Sequence, residues 1–330
     1  MKQTVKIYTD SDADIAVVKR KSVTVIGYGN QGRAFALNMR DSGVGVSVCL
    51  QERSKSASIA IEDDFPVVRP EDARHADVIM MMLPDHLHGR FFSRYLGGKL
   101  RAGQALIFAH GYSVHFAQVS PPANVLCALV APHGPGTDLR SEFLRGSGIS
   151  CFVGSAPAGD ADTIELALSI AKAIGCTRIG AFESTFEHET LGDLFGEQAL
   201  LCGGLAALTR AVFDILVGNG IPPENAYLET AHQLRLLAKL VSEDGISGMM
   251  QRISKTAQFG SASASDKILN KKLLWDLQRI FLNISSGEFA EQWQKEHDLK
   301  SPVTHAFLEQ LENSEIERIG QRIRAVIQRK

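Results

Sequence analysis

The sequence predicts an α/β unit built on a doubly wound parallel sheet, followed by an all-α unit. Three observations carry this. An apolar, β-branched run, Ser22–Ile26, enters a glycine-rich turn and leaves it as a helical pattern. Short apolar runs then alternate with helical patterns, as strands joined by helical crossovers do. From about Glu183 the strand-like runs vanish and 3.6-residue periodicity takes over. The expected units are therefore residues 1–182 and 183–330.

The length of 330 residues suffices for one large unit or two medium ones, each with its own core. A hydrophobic fraction of 45% and a charged fraction of 22% are those of an ordinary globular protein. The net charge of −2 gives no electrostatic case for nucleic acid or an anionic membrane surface as partner. The first residues carry no apolar core of a leader peptide, so none is expected. The most continuous apolar run, near Ala199–Leu208, is interrupted by Gly203 and Gly204 and reads as too short to span a bilayer. Cys49, Cys127, Cys151, Cys176 and Cys202 stand singly, a pattern that fits reduced thiols and a cytoplasmic location.

Taken in order, the first element pair is Ser22–Ile26 followed by Gly27-Tyr28-Gly29-Asn30-Gln31-Gly32 and a helical stretch ending at Gly43. Strand, Gly-x-Gly-x-x-Gly and helix in succession make a dinucleotide-binding, Rossmann-like turn. Gly27 permits the tight turn, Gly29 the approach of a pyrophosphate, and Gly32 close helix–strand packing. The unpaired N–H groups of the helix N-terminus face the phosphates. The second strand, Val44–Leu50, delivers Gln51-Glu52-Arg53-Ser54-Lys55-Ser56 to the position of the adenosine ribose. Glu52 suits the 2′-hydroxyl of NADH, whereas Arg53, Ser54, Lys55 and Ser56 suit the 2′-phosphate of NADPH. The donors outnumber the acid, so NADPH is expected, with NADH left open.

Val78–Leu83 reads as a buried strand closed by Pro84-Asp85, and Ala105–Ala109 as another that presents His110-Gly111. Asn124–Val130 leads to His133-Gly134-Pro135-Gly136, Ile149–Val153 is a further strand, and Thr163–Ile174 a helix. Ligands of such sheets bind beyond the carboxyl ends of the strands, which makes His110 and His133 candidate chemical groups.

The helical half opens on Glu189, Asp193 and Glu197, spaced i, i+4 and i+8 so that a helix stacks them on one face. No Lys or Arg lies between Arg178 and Arg210 to pair with them. A hard divalent cation such as Mg²⁺ and plain solvation of an acidic face both account for the row. This helix is expected to end at Gly218. A second, Glu224–Val241, carries Glu229 and Gln233 at i, i+4, and Lys272–Ser285 and the Ile316–Val326 series are amphipathic.

The motifs Gly27–Gly32, Leu83-Pro84-Asp85, Ala109-His110-Gly111, Gly134-Pro135-Gly136 and Asp193-Leu194-Phe195-Gly196-Glu197-Gln198 together resemble the ketol-acid reductoisomerase family in its short bacterial form, nearly end to end. The resemblance implies a Mg²⁺-dependent alkyl migration in a 2-hydroxy-2-alkyl-3-keto acid followed by NADPH reduction of the new 2-keto group. It implies that Asp193 bridges two Mg²⁺ ions and Glu197 holds one. Glu229 and a second glutamate, supplied by the partner in a homodimer, would hold the other. His110 would line the nicotinamide–substrate site and Ser254 would contact the substrate carboxylate.

The sequence departs from the family pattern where the substrate and second metal would lie. Gln233 stands for the second glutamate, His133 for a lysine, and Gln258 for an acid, and Lys255 occupies a position usually polar or acidic. The dinucleotide loop is intact. Hydride transfer to a 2-keto group needs less electrophilic help than migration, so reduction of a keto acid or related imine is expected to survive. Isomerisation is expected to be weakened or lost. A working reductoisomerase in branched-chain amino acid synthesis is the alternative. A non-catalytic dinucleotide sensor is the alternative of another class, opposed by the presence of His110, Asp193, Glu197, Glu229 and Ser254.

Overall fold

The computed structural model describes residues 4–157 and 159–327. The chain divides into two compact units, Met1–Gly192 and Asp193–Lys330. The division falls inside a helix, Phe186–Gly196, where the sequence reading placed it at 182/183.

The first unit is organised on a nine-stranded sheet. In chain order the strands are β1 (Ile7–Tyr8), β2 (Val23–Ile26), β3 (Val46–Cys49), β4 (Val67–Val68), β5 (Val78–Met81), β6 (Ala105–Phe108), β7 (Leu126–Pro132), β8 (Cys151–Ser155) and β9 (Ala181–Glu183). Their spatial order is β1-β9-β8-β7-β6-β5-β2-β3-β4. From β2 the chain first winds outward through β3 and β4, then returns to β5 on the other side of β2 and continues through β6 and β7. The β2/β5 boundary is thus the topological switch point, where open α/β sheets bind ligands. The central strands β2, β5 and β6 are buried along their whole length, which is why they read as continuous apolar runs rather than alternating ones.

Two pairings depart from the expected all-parallel sheet. β8 runs antiparallel to β7, with Val130 opposite Val153, and β1 pairs antiparallel with β9 at the edge. The parallel core from β3 to β7 is as the sequence predicts, and β4, absent from the sequence reading, adds to it in parallel beside β3.

The second unit is helical. The helix Phe186–Gly196, which begins in the first unit, passes through a π-helical turn, Glu197–Leu201, into Gly203–Gly218. This contradicts the reading of Gly203 and Gly204 as an interruption. The run Phe186–Gly218 is long and apolar enough, by length and composition alone, to cross a membrane. The expected single helix Glu224–Val241 is also corrected. It is divided into Pro223–Tyr227, a π-helical turn Leu228–His232, and Leu234–Arg252, the last kinked at Gly245 with φ 72°. Glycine at positive φ continues the chain where a side chain would clash. Lys255–Ile268, Lys271–Ser285, Glu288–Asp298, Pro302–Glu312 and Glu315–Ile327 complete the unit. Its buried cluster is small, centred on Phe213, Ala226, Tyr227, Ile316 and Ile319.

Candidate active site

The glycine-rich loop sits at the switch point. Gly27 has φ 95°, and a Cβ there would meet the Met82 carbonyl oxygen at 2.7 Å. A Cβ on Gly32 would run into the carbonyl of Gly27. Gly29 is different, because a Cβ on it would meet nothing within 4 Å. Gly29 is the N-cap of the helix Asn30–Asp41, and no side chain caps that end. Open space above an uncapped helix N-terminus fits a pyrophosphate.

Around this loop, several side chains expected to touch cofactor also make contacts that build the frame. Tyr28 is buried, donates its hydroxyl to Asp63 at 2.8 Å and packs edge-on against Phe65. Burial, then the bond to Asp63, raises the Tyr28 pKa. Gln31 donates Nε2 to the Gly134 carbonyl at 2.8 Å, while its Oε1 is buried without a partner. A Cβ on Gly136 would collide with Asn30, so the Gly134-Pro135-Gly136 turn buttresses the phosphate loop.

Beyond the ends of β2, β3 and β5 lies a cavity of about 430 Å³, within the size range of ligand sites. Arg53, Ser54 and Leu83 line it, together with Arg90, Phe91, Arg94 and Tyr95. The last four were missed in the sequence. Arg90 and Phe91 belong to the helix Asp85–Phe91, Arg94 and Tyr95 to the π-helical turn Phe92–Leu96 that extends it. Pro84 is the N-cap of this helix and Asp85 its first residue. Ser56 opens another helix, Ser56–Glu62, its backbone N–H donating to Ser54 Oγ at 3.3 Å.

At the end of β6 the structure gathers His110 with Glu189, which the sequence reading placed only in the acidic row. Glu189, only 4% exposed, accepts from the Gly111 backbone N–H at 2.7 Å and lies 2.9 Å from His110 Nδ1. A Cβ on Gly111 would meet the Phe186 carbonyl oxygen at 2.5 Å, so glycine after His110 lets the loop press against the helix Phe186–Gly196. With Nδ1 facing a carboxylate, Nε2 is the ring nitrogen that can exchange a proton with a substrate. The i, i+4, i+8 row therefore does not act as a unit, since its first member is a buried anchor for His110. The lack of local Lys or Arg was the usable signal, because the buried carboxylate had to find its partners elsewhere.

His88, also buried, ties this loop to the nucleotide side. Its Nε2 lies 2.8 Å from the Leu83 carbonyl oxygen and its Nδ1 2.8 Å from Ser113 Oγ. Burial lowers its pKa, and the nearby Asp85 opposes that shift. His133, exposed at the end of β7, has Nδ1 2.9 Å from Ser150 Oγ and packs edge-on against Phe152.

In the helical unit, Asp193 is exposed and Glu197 partly so. Glu197 begins a π-helical turn, closed by Cys202 N–H to the Glu197 carbonyl at 2.9 Å. Glu229 lies in the other π turn of this unit, and Gln233 directly follows it. Such turns, rare elsewhere, often mark functional positions because they re-aim side chains. Gln233 Nε2 donates to Glu229 Oε2 at 2.6 Å. Ser254 is the N-cap of Lys255–Ile268, its Oγ accepting from Ala257 N–H at 3.1 Å. Gln258 donates Nε2 to the Met250 carbonyl at 2.8 Å and accepts from Lys255 Nζ at 3.2 Å. Among the described residues, no three His, Cys, Asp or Glu side chains gather as a metal-binding group.

Comparisons with known proteins agree across the whole chain. Residues 17–180 match the acetohydroxy acid isomeroreductase NADPH-binding domain, and residues 186–329 match the ketol-acid reductoisomerase C-terminal domain. The chain is 39% identical over 325 residues to a ketol-acid reductoisomerase (NADP⁺) of Sulfolobus acidocaldarius, covering 98% of each. It is 39% identical over 330 residues to a ketol-acid reductoisomerase (NAD(P)⁺) of Metallosphaera sedula, covering 100% of this chain and 98% of that one. A solved NADH-preferring ketol-acid reductoisomerase from an uncultured archean superposes with a TM-score of 0.92 at 35% identity, over 97% of this chain and 98% of that one. Likeness at this level, carried through both units, means that the chain belongs to the ketol-acid reductoisomerase family and is an NADP-dependent oxidoreductase acting on CH–OH groups.

Proposed function

We propose that this chain reduces a 2-keto acid, or a related imine, with NADPH and Mg²⁺, and that its alkyl-migration step is weakened or lost. The Gly27–Gly32 loop and the N-terminus of Asn30–Asp41 would hold the pyrophosphate, and the cavity flanked by Arg53 the adenosine. The bound dinucleotide supplies the hydride. His110, fixed by Glu189, would hold or deliver at Nε2 the proton that the new hydroxyl requires. Ser254 has its oxygen lone pair engaged by Ala257 N–H, which leaves the hydroxyl proton for a substrate carboxylate.

Asp193 and Glu197 are carboxylates one turn apart, a donor set suited to a hard cation. These two residues would hold a divalent ion, and the chemistry it would supply is polarisation of a substrate carbonyl. The observation that carries the loss of migration is the 2.6 Å bond from Gln233 Nε2 to Glu229. A neutral amide occupies one carboxylate oxygen at the position where the family resemblance calls for two anions. His133, held by Ser150, likewise offers less fixed positive charge than a lysine.

Because no group of three ligands forms among the described residues of one chain, the site is read as completed by a second copy. Leu201, Leu205, Leu208, Val212 and Ile215 are all exposed and recur at alternating steps of four and three, the seam of a helix–helix interface. We assign this stripe to a homodimer or higher homo-oligomer rather than to lipid. Asp193, Glu197, Arg210 and Asp214 lie on the same helical run, and each charge at a bilayer centre costs about 2.5–3.5 kcal/mol or more.

The second reading, a complete reductoisomerase, is favoured by end-to-end relatives that carry that name. The two divide on one assay, NADPH oxidation with Mg²⁺ on 2-acetolactate and, separately, on its rearranged product 3-hydroxy-3-methyl-2-oxobutanoate. Turnover of the second alone is the expected result. Equal turnover of both would establish the complete enzyme. Tight NADPH binding with no turnover across a keto-acid panel would indicate a sensor.

A further inference from the structure

The adenosine cavity has two walls. One is the Arg53-Ser54 segment after β3. The other is the helix Asp85–Phe91 and its π-helical extension, which send Leu87, then Arg90 and Phe91, then Arg94 and Tyr95 into the cavity at successive turns. Three of the lining side chains are arginines and none is a carboxylate. The carboxylates of Glu71 and Asp72 act on the Cys49 thiol at the cavity wall, and Asp72 is engaged by Arg69 at 3.1 Å. Among the described residues neither Arg53 nor Arg94 has an ion-pair partner.

The Arg94 guanidinium stands 5.2 Å from the centre of the Tyr95 ring, and that ring packs 4.9 Å from Phe91. Phe91 and Tyr95, their rings tilted 47° to one another, give the cavity an aromatic surface for a purine, with a guanidinium at its margin. The turn is closed by Gly97 N–H to the Phe92 carbonyl at 2.7 Å, a five-residue step that lets Arg94 and Tyr95 continue the lining begun by Arg90 and Phe91.

We propose that Arg94, carried by the π turn Phe92–Leu96, forms with Arg53 the clamp for the adenosine 2′-phosphate. The preference for NADPH over NADH is then set by both walls of the cavity and not by the loop after β3 alone. An uncompensated guanidinium pair in a carboxylate-free cavity attracts a dianion, and a phosphate accepts from two guanidinium groups at once. NADH would fill the same purine surface but leave the clamp without its anion. The inference rests on the assignment of this cavity to the adenosine of the cofactor.

The test is calorimetric binding of 2′,5′-ADP and of 5′-AMP to the full chain, which differ only in the phosphate at issue. Arg94→Gln and Arg53→Gln are compared with the unmodified protein. Both arginines are exposed, so neither substitution disturbs the core. Each variant is expected to lose about tenfold or more in affinity for 2′,5′-ADP, the effect of one charge-assisted bond, with 5′-AMP affinity unchanged. Unchanged 2′,5′-ADP affinity in Arg94→Gln with loss in Arg53→Gln would overturn the role of the π turn and leave the cavity assignment intact. Equal losses for both nucleotides would also overturn it, because Arg94 would then serve the purine and not the phosphate. Failure of the unmodified protein to bind either nucleotide would sink the cavity assignment together with the clamp.

Discussion

The two units treat their apolar residues in opposite ways. In the sheet unit β2, β5 and β6 are wholly buried, and they feed two large buried clusters, one gathering side chains from Tyr8 to Ala181 and the other from Ile26 to Phe186. In the helical unit Leu201 is 64% exposed, Ile215 63% and Phe259 76%, and the buried cluster is confined to a few residues. The chemical groups follow the same division. Glu189 has both oxygens engaged within the sheet unit, whereas Asp193, Glu197 and Glu229 gather into no ligand set among the described residues. A sheet covered by helices can finish its own core within one chain. Helices with a wide apolar face and nothing on it are half of an interface. The sheet unit buries its apolar strands within one chain, and it is on the helical unit that the homo-oligomer proposed above rests.

The sharpest way to break this contrast is a charge in the seam. Leu208→Asp places a carboxylate in the middle of the stripe formed by Leu201, Leu205, Val212 and Ile215. Burying it unpaired costs several kcal/mol, enough to lower a dimer's association constant by about a hundredfold or more. Light scattering should then report monomer for the variant and, on the proposal above, a dimer or larger assembly for the unmodified protein. Turnover should fall to about 1% or less, while NADPH affinity measured by fluorescence should hold. A monomeric variant with full turnover would show that the helical unit needs no partner.

Next in size is a pair of substitutions within the phosphate loop, which separates ligand space from packing space. A Cβ on Gly29 meets nothing in the protein, but one on Gly32 meets the Gly27 carbonyl. Gly29→Ala should cost about 1 kcal/mol or less in stability, the difference between glycine and alanine as an N-cap. Its NADPH affinity should nevertheless fall about tenfold or more, since the methyl occupies the phosphate's place. Gly32→Ala should lose about 1–3 kcal/mol from overpacking, even without nucleotide. Denaturant unfolding and cofactor titration of both variants check this, and equal destabilisation of the two would refute the distinction.

The same contrast explains what could be read from the sequence. The parallel core and phosphate loop were legible because buried strands and a glycine turn leave local signatures. The edge pair β1 and β9 was not, since two- and three-residue strands are too short to show a period. Nor was the reversal of β8 against β7, which follows from tertiary pairing. The three π turns were invisible because helical reading assumes 3.6 residues per turn, and two of them carry Glu197 and Glu229. Arg90 and Arg94 were readable in principle as cations at i, i+4 after Leu83-Pro84-Asp85, but only the folded cavity brings them into one lining with Arg53. Glu189 was seen as part of an acidic row, yet its partners lie 78 and 79 positions away, beyond any local pattern.

The smallest expected effect concerns His88, the link between the nucleotide and His110 loops inside the sheet unit. Its contacts suit a neutral ring, with Nε2–H donating to the Leu83 carbonyl and Nδ1 accepting from the Ser113 hydroxyl. Burial lowers its pKa, helped by the nearby His110 and opposed by Asp85 at 4.0 Å. The unfolded chain takes up this proton near pH 6.5, the folded protein only at lower pH. Below about pH 6.5 the unfolded state thus binds more protons, and stability falls as pH falls. The contribution is complete above that value and is lost toward the depressed folded pKa, with a slope of at most about 1.4 kcal/mol per pH unit. The unmodified protein should therefore lose stability between pH 7.5 and 5.5 more steeply than His88→Gln, which keeps a donor and an acceptor but cannot titrate. Denaturant unfolding at the two pH values measures the difference. Parallel pH profiles would mean that the His88 ring takes up its proton as readily in the fold as in the unfolded chain, and a shallower loss than in His88→Gln that it is already charged in the fold; either would refute the neutral bridge between the two loops.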